Sequence, residues 1–168
     1  MAKPEERLAQ WLRDAHAMEM QALKMMEGQV ERLENYPELR ARIRQHIDET
    51  RGQADRLEAC IEKRGTDTSA LKDTAGRMMA MMQSMSGVLA GDEVVKGSMA
   101  SYTFEHLEIA SYRTLIAAAE RVGDDDTRRV CEENLKEEEA MAAWLADHLP
   151  ETTQKYLERE MAGVEAKR

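Results

Sequence analysis

Aromatic residues make up only 4% of this 168-residue chain, which also has three prolines, two cysteines and nine glycines. Each scarcity excludes something. With so few aromatic and β-branched residues, an extensive sheet is excluded, because those residues are what pack a pleated surface. Cys60 and Cys131 lie among apolar neighbours and read as buried thiols rather than a disulfide framework. The longest apolar runs fall short of the ~20 residues a membrane-spanning helix needs. The N-terminal stretch Met1 to Arg7 has no apolar signal segment, so a cytoplasmic protein is expected. Positive charge is also in deficit. A net charge of -9 argues against nonspecific nucleic-acid binding, which requires a basic surface. No glycine-rich phosphate loop, Ser/His/Asp arrangement or Cys-x-x-Cys pair occurs, and this lowers the case for a nucleotide enzyme, a hydrolase or a zinc ribbon.

What the chain does have is charge at 34% and methionine at 13 residues, set among Ala, Leu, Glu, Lys and Arg. That mixture favours helix. Pro4, followed by Glu5 and Glu6, begins a helix expected to reach about Glu34, with Leu8, Leu12, Ala15, Glu19, Ala22, Met26, Val30 and Leu33 along one stripe. Asn35-Tyr36-Pro37 ends it, and a second helix runs from Pro37 to about Arg64, stopped by Gly65. A shorter helix is expected over 70–86. It reads as a crossover between two long hairpins. It carries Met78, Met79, Met81, Met82 and Met85, which suit adaptable packing on the bundle, a dimer surface or a thioether Cu(I) site, in that order. The next helix runs from about Asp92 to Val122 with Gly123 as C-cap. Asp124-Asp125-Asp126 then caps a helix reaching about His148. Pro150 begins a last short helical piece, and the polar tail from Gly163 is expected to fray.

The two hairpins echo each other. The pattern His46, Glu49, Gln53, Leu57 recurs as Asn134, Glu137, Met141, Leu145. Likewise Met18, Glu19, Ala22, Leu23 recurs as Leu107, Glu108, Ser111, Tyr112. The expected architecture is therefore all-α: one domain, a ferritin-like four-helix bundle with an extra crossover helix and a short C-terminal helix.

Several acids fall on or beside the packing faces. Glu105 and Glu108 are one turn apart and share a face with Tyr112, Leu115 and Ala119. Glu19 is the one acid in the centre of its stripe, and His46, Glu49 and Gln53 line one flank of the next helix. A buried, unpaired charge is costly, so such a pattern calls for a partner: an arginine, a histidine or a metal ion. His16, one turn before Glu19, is an orienting partner or a structural histidine. Tyr112 reads as a core aromatic whose hydroxyl can reach a carboxylate.

The strings Trp11 to Glu19, Asn35 to Arg40, Glu49-Thr50 with Gln53, Glu108 to Tyr112 and Gly163 to Lys167 resemble the YciE/YciF-type ferritin-like stress proteins, nearer the YciE branch, over nearly the whole chain. The resemblance implies a ferritin-like bundle that pairs into homodimers, in a bacterial stress-associated family. In ferritin-like di-metal proteins two helices each supply one Glu and the other two each supply a Glu-x-x-His pair. On that template Glu19 and Glu108 fit the lone-Glu roles and Glu49 the second-helix Glu. For the helix after Gly123, Glu137 is favoured by the internal echo and Glu138 by the apolar stripe. Neither template histidine is present, because residue 52 is Gly and residues 140 and 141 are Ala and Met. Gln53 and His46 are the neighbouring substitutes, and Glu105 is an alternative ligand. Iron or manganese is the implied metal, with handling of peroxide or oxygen species the implied chemistry. A harder ion, or a degenerate centre without metal, follows from the missing imidazoles. The alternative is a non-catalytic dimeric bundle acting as a structural or partner-binding protein.

Overall fold

The computed structural model describes residues 3–65 and 92–167. Among these, four α-helices account for the ordered structure and no strand occurs: α1 (Pro4–Val30), α2 (Pro37–Lys63), α3 (Glu93–Val122) and α4 (Asp125–Met161). The crossover helix expected over 70–86, with its methionines, lies outside the described residues.

The helices begin and end for local reasons. Proline occupies the first turn of α1 and of α2, where its missing N–H has no intrahelical partner to lose. α3 stops at Gly123, whose φ of 73° is left-handed and open to glycine at no steric cost. Asp124 follows at once and caps α4, its carboxylate accepting the Thr127 N–H at 3.0 Å and the Thr127 hydroxyl at 2.7 Å.

Two endings differ from expectation. α4 does not stop near His148 but runs through Pro150 to Met161. Proline there removes one donor, the one that would serve the carbonyl of Ala146, and Ala146 is exposed, so water can take that carbonyl. Beyond the proline, Thr152 is buried, Tyr156 packs on the core and Lys155 lies over the Tyr36 ring, and these contacts carry the helix on. The tail does not fray over its described length. It folds back onto the α1–α2 turn, where the Ala166 carbonyl accepts the Tyr36 hydroxyl at 2.6 Å and the Glu165 carbonyl accepts Arg159 Nε at 2.6 Å.

α1 pairs with α2 and α3 with α4 as two hairpins, and α1 also packs on α3 and α2 on α4. Two apolar clusters fill the bundle. One joins Met26, Leu33, Tyr36, Ile43, Phe104 and Leu145. The other joins Leu8, Leu12, Leu57, Ile61, Leu115 and Cys131. On every helix the residues between the two clusters include a buried polar or acidic side chain: Glu19, His46 with Gln53, Glu105 with Glu108, and Glu138. The bundle thus has apolar ends and an acidic middle. The two cysteines sit in the second cluster as free thiols, and burial pushes the Cys131 thiol up to about 12.

Candidate metal centre

The middle layer is built by helix phase. On α2 the inward positions are His46, Thr50, Gln53 and Leu57, all buried and spaced three and four apart. On α4 they are Asn134, Glu138, Met141 and Leu145. α1 contributes Glu19, and α3 contributes Glu105, Glu108 and Tyr112.

His46 is the hub. Its Nδ1 lies 2.7 Å from a Glu49 oxygen. Its Nε2 faces inward, 3.2 Å from Glu105 Oε2 and 3.4 Å from Glu138 Oε2. One ligand-type atom from each of His46, Glu105 and Glu138 falls within 4.8 Å of the others. Glu19 and Glu108 complete the layer. Glu19 Oε1 accepts the Tyr112 hydroxyl, while Glu19 Oε2 meets no donor. Glu108 Oε1, both Glu138 oxygens, Glu105 Oε2 and both polar atoms of the Gln53 amide likewise make no well-aligned hydrogen bond, although Glu105 Oε2 and Glu138 Oε2 face His46 Nε2. So many buried polar atoms without well-aligned hydrogen bonds in one layer is unusual, because a buried acceptor left unpaired costs ~1–3 kcal/mol.

The electrostatics follow. Burial, reinforced by the Glu138 charge, holds the Glu19 and Glu108 carboxyls well above their ordinary range. Burial also raises Glu105 to about 8 against the pull of His46. Glu138 goes the other way: burial opposes its charge, but contacts with His46 and Glu105 outweigh it and keep this carboxylate low. Burial alone would discharge His46, yet Glu105, Glu138 and Glu49 raise it to about 12. Without metal the layer therefore favours charge on His46 and Glu138 and disfavours it on Glu19, Glu105 and Glu108.

Each residue expected from the sequence now has a place. Glu19, His46, Gln53, Glu105, Glu108 and Glu138 meet in the buried layer. Glu49 does not enter it. It lies on the flank, 23% exposed, gripping His46 from behind and held by Arg42 at 3.2 Å and Gln45 at 2.7 Å; burial opposes its charge, but these donors lower it to about 2. Glu137 is also outside, 28% exposed and bound by Arg56 at 2.5 Å. The structure therefore buries His46 and Glu138 in the layer and leaves Glu49 and Glu137 on its flanks. The internal echo is nonetheless real in space: His46 and Asn134 are both buried, Glu49 and Glu137 are both on flanks under an arginine, and Leu57 and Leu145 are both core. It matched Glu137 to Glu49 correctly, and both belong outside. His16 is half-buried, with its pKa lowered by burial and raised in part by Glu58 and Asp55, so its electrostatic neighbours are on α2 rather than at Glu19. Asn134 was visible only as a term of the echo, although its phase, four residues before Glu138 on the inward stripe, marks it.

The donor set suits a divalent cation. It offers several carboxylate oxygens, one neutral amide oxygen and one imidazole nitrogen, a mixture compatible with iron or manganese. Glu49 behind Nδ1 repeats the carboxylate–histidine pairing that orients metal-binding imidazoles.

Residues 3–158 match the family described as Domain of unknown function (DUF892). The protein YciF of Escherichia coli K12 is 28% identical over 144 residues, covering 81% of this chain and 84% of YciF. The crystal structure of protein XCC3681 from Xanthomonas campestris pv. campestris is 39% identical, with a TM-score of 0.80 and coverage of 95% of this chain and 99% of that one. The crystal structure of the E. coli stress protein YciF shares the fold at 23% identity, with a TM-score of 0.75, covering 92% of this chain and 99% of that one. With its helical bundle and the matching strings spread along it, the chain belongs to the DUF892 family of YciE/YciF-type proteins.

Proposed function

We propose that this chain is a stress protein whose bundle centre binds divalent metal, of the di-iron or manganese type, with His46, Glu105 and Glu138 as the primary ligands and Glu19 and Glu108 serving a second ion. The observation that carries this reading is the set of buried carboxylate oxygens, without well-aligned hydrogen bonds, gathered around the inward nitrogen of His46. A cation would satisfy them together and displace the protons that the metal-free layer must hold. Iron or manganese bound there supplies redox chemistry toward peroxide or oxygen species. The chain's own residues bind and orient the ion, exclude water and release protons. The apolar clusters above and below keep the layer dry, which strengthens each charge interaction inside it. The family resemblance adds a homodimer as the expected assembly. No helix among the described residues is long and apolar enough to cross a membrane.

The test is direct. The purified protein is assayed for bound metal, then titrated with Fe²⁺ under anaerobic conditions and with Mn²⁺ while thermal unfolding is followed. Saturating metal at 1,000 times Kd should add about 4 kcal/mol. A preparation without bound metal whose unfolding is unmoved by millimolar Fe²⁺ and Mn²⁺ refutes the reading and leaves a non-catalytic bundle with a protonated polar layer. A stoichiometry near one per chain would reduce the centre to its His46 half.

A further inference from the structure

Four hydrogen-bonding groups run in line from the surface to the buried layer. Arg56, on the flank of α2, donates from Nε to Asn134 Oδ1 at 2.6 Å. Asn134 donates from Nδ2 to the Tyr112 hydroxyl oxygen at 3.0 Å. Tyr112 donates its hydroxyl proton to Glu19 Oε1. The direction of this chain is forced by chemistry. A guanidinium can only donate, so the atom of Asn134 facing Arg56 must be its oxygen. The amide then presents its N–H₂ to Tyr112. The hydroxyl oxygen accepts that bond, so its single proton points away from Asn134, toward Glu19. Glu19 therefore spends one oxygen on Tyr112 and turns the other, Oε2, to the layer without a partner.

We propose that Arg56, Asn134 and Tyr112 are a directional positioning relay that makes Glu19 present a single oxygen to the metal centre. This rests on the reading of the layer as a metal site. It deepens that reading by naming residues that act on a ligand without touching an ion. Two further observations support it. Gly52 lies where the ferritin-like template would put a histidine, and a Cβ there would make van der Waals contact with Arg56 Nη1 at 3.4 Å. Arg56 is also held from its other side, by Glu137 Oε2 at 2.5 Å and Glu133 Oε1 at 3.4 Å. Glu137, displaced from the layer, thus anchors the outer end of the relay.

The decisive variant is Asn134→Asp, which keeps the shape but replaces the donor facing Tyr112 with an acceptor. The hydroxyl proton then turns toward the new carboxylate and leaves Glu19. Tyr112→Phe removes the hydroxyl, and Asn134→Leu controls for packing. With Mn²⁺ as probe, Asn134→Asp and Tyr112→Phe should each weaken binding of the ion at Glu19 by ~10–100-fold, the range for partners that orient a ligand, whereas Asn134→Leu, which introduces no competing acceptor, should weaken it less. Asn134→Asp combined with Tyr112→Phe should be no worse than Tyr112→Phe alone, because both act through one hydrogen bond. The Mn²⁺ electron paramagnetic resonance spectrum should change in Asn134→Asp and in Tyr112→Phe, a readout that loss of stability alone does not produce. Unaltered affinity and spectrum in Asn134→Asp and Tyr112→Phe, with metal still bound by the parent protein, overturn the relay while the metal reading stands. If the parent binds no metal, the metal reading fails and the relay is judged on the metal-free protein. A Tyr112 hydroxyl proton bonded to a buried carboxylate gives a low-field, slowly exchanging proton resonance. Its persistence in Asn134→Asp overturns the relay, and its loss there upholds the orientation of Glu19.

Discussion

The two hairpins share a plan and diverge in chemistry. Where the first hairpin has His46, the second has Asn134; where the second has Tyr112, the first has Leu23. Both members of the first pair are fully buried on the inward stripe, and Glu19 and Glu108 likewise occupy matched, buried positions. The first hairpin supplies an imidazole nitrogen backed by a carboxylate, Glu49. The second supplies an amide that orients a phenol. Pseudo-symmetric packing therefore does not require symmetric ligands. The scaffold repeats because helix phase and core volume repeat. The polar side chains are free to differ, because each needs only its own partners.

The largest effect should come from breaking the odd member of the pair. His46→Ala removes the only imidazole in the layer and the counter-charge of Glu138. It should abolish metal-dependent stabilisation and cost the metal-free protein ~3–5 kcal/mol, since one partner of a buried pair is left behind; calorimetry with and without Mn²⁺ reads both. Next comes pH. Glu105 rises from 4.5 to about 8 in the fold, and Glu19 and Glu108 also rise. A raised acid contributes stability that is complete below its unfolded value and is lost as pH climbs through its folded value. The Tm of the metal-free protein should therefore fall between pH 4.5 and 8, whereas the increment added by Mn²⁺ should grow over the same interval, because the ligands must lose protons to bind. A flat metal-free profile would mean the acids are paired by something else.

A finer comparison sets the two flanking acids against each other. Glu49→Gln should weaken Mn²⁺ binding ~10–100-fold, because it changes the group that fixes the His46 ring. Glu137→Gln should shift unfolding by less than ~1 kcal/mol, since its partner Arg56 stays bonded to Asn134. Equal effects would erase the distinction between the hairpins. The smallest effects concern the turns. Asp124→Ala removes the side-chain cap of α4 and should cost ~1 kcal/mol in urea unfolding. Tyr36→Phe, which releases the tail from the α1–α2 turn, should cost ~1 kcal/mol by the same measurement.

Much of this was legible in the chain. Periodicity placed the described helices, Pro4 and Pro37 their starts, and Gly123 with Asp124 the sharp turn between α3 and α4, because these are properties of a few adjacent residues. The sequence alone also determined that acids lie on core stripes and that the hairpins repeat. Only the tertiary structure decided which acids meet. Glu137 and Glu138 differ by one position, a rotation of ~100° about the helix axis, and that rotation separates a partly exposed partner of Arg56 from a fully buried carboxylate. Only packing could show that α4 passes through Pro150, or that His46 rather than Glu49 points inward. Local pattern sets the phase of each helix to within a residue or so. A centre built from several helices depends on every phase at once, and on which neighbouring side chains take the remaining hydrogen bonds.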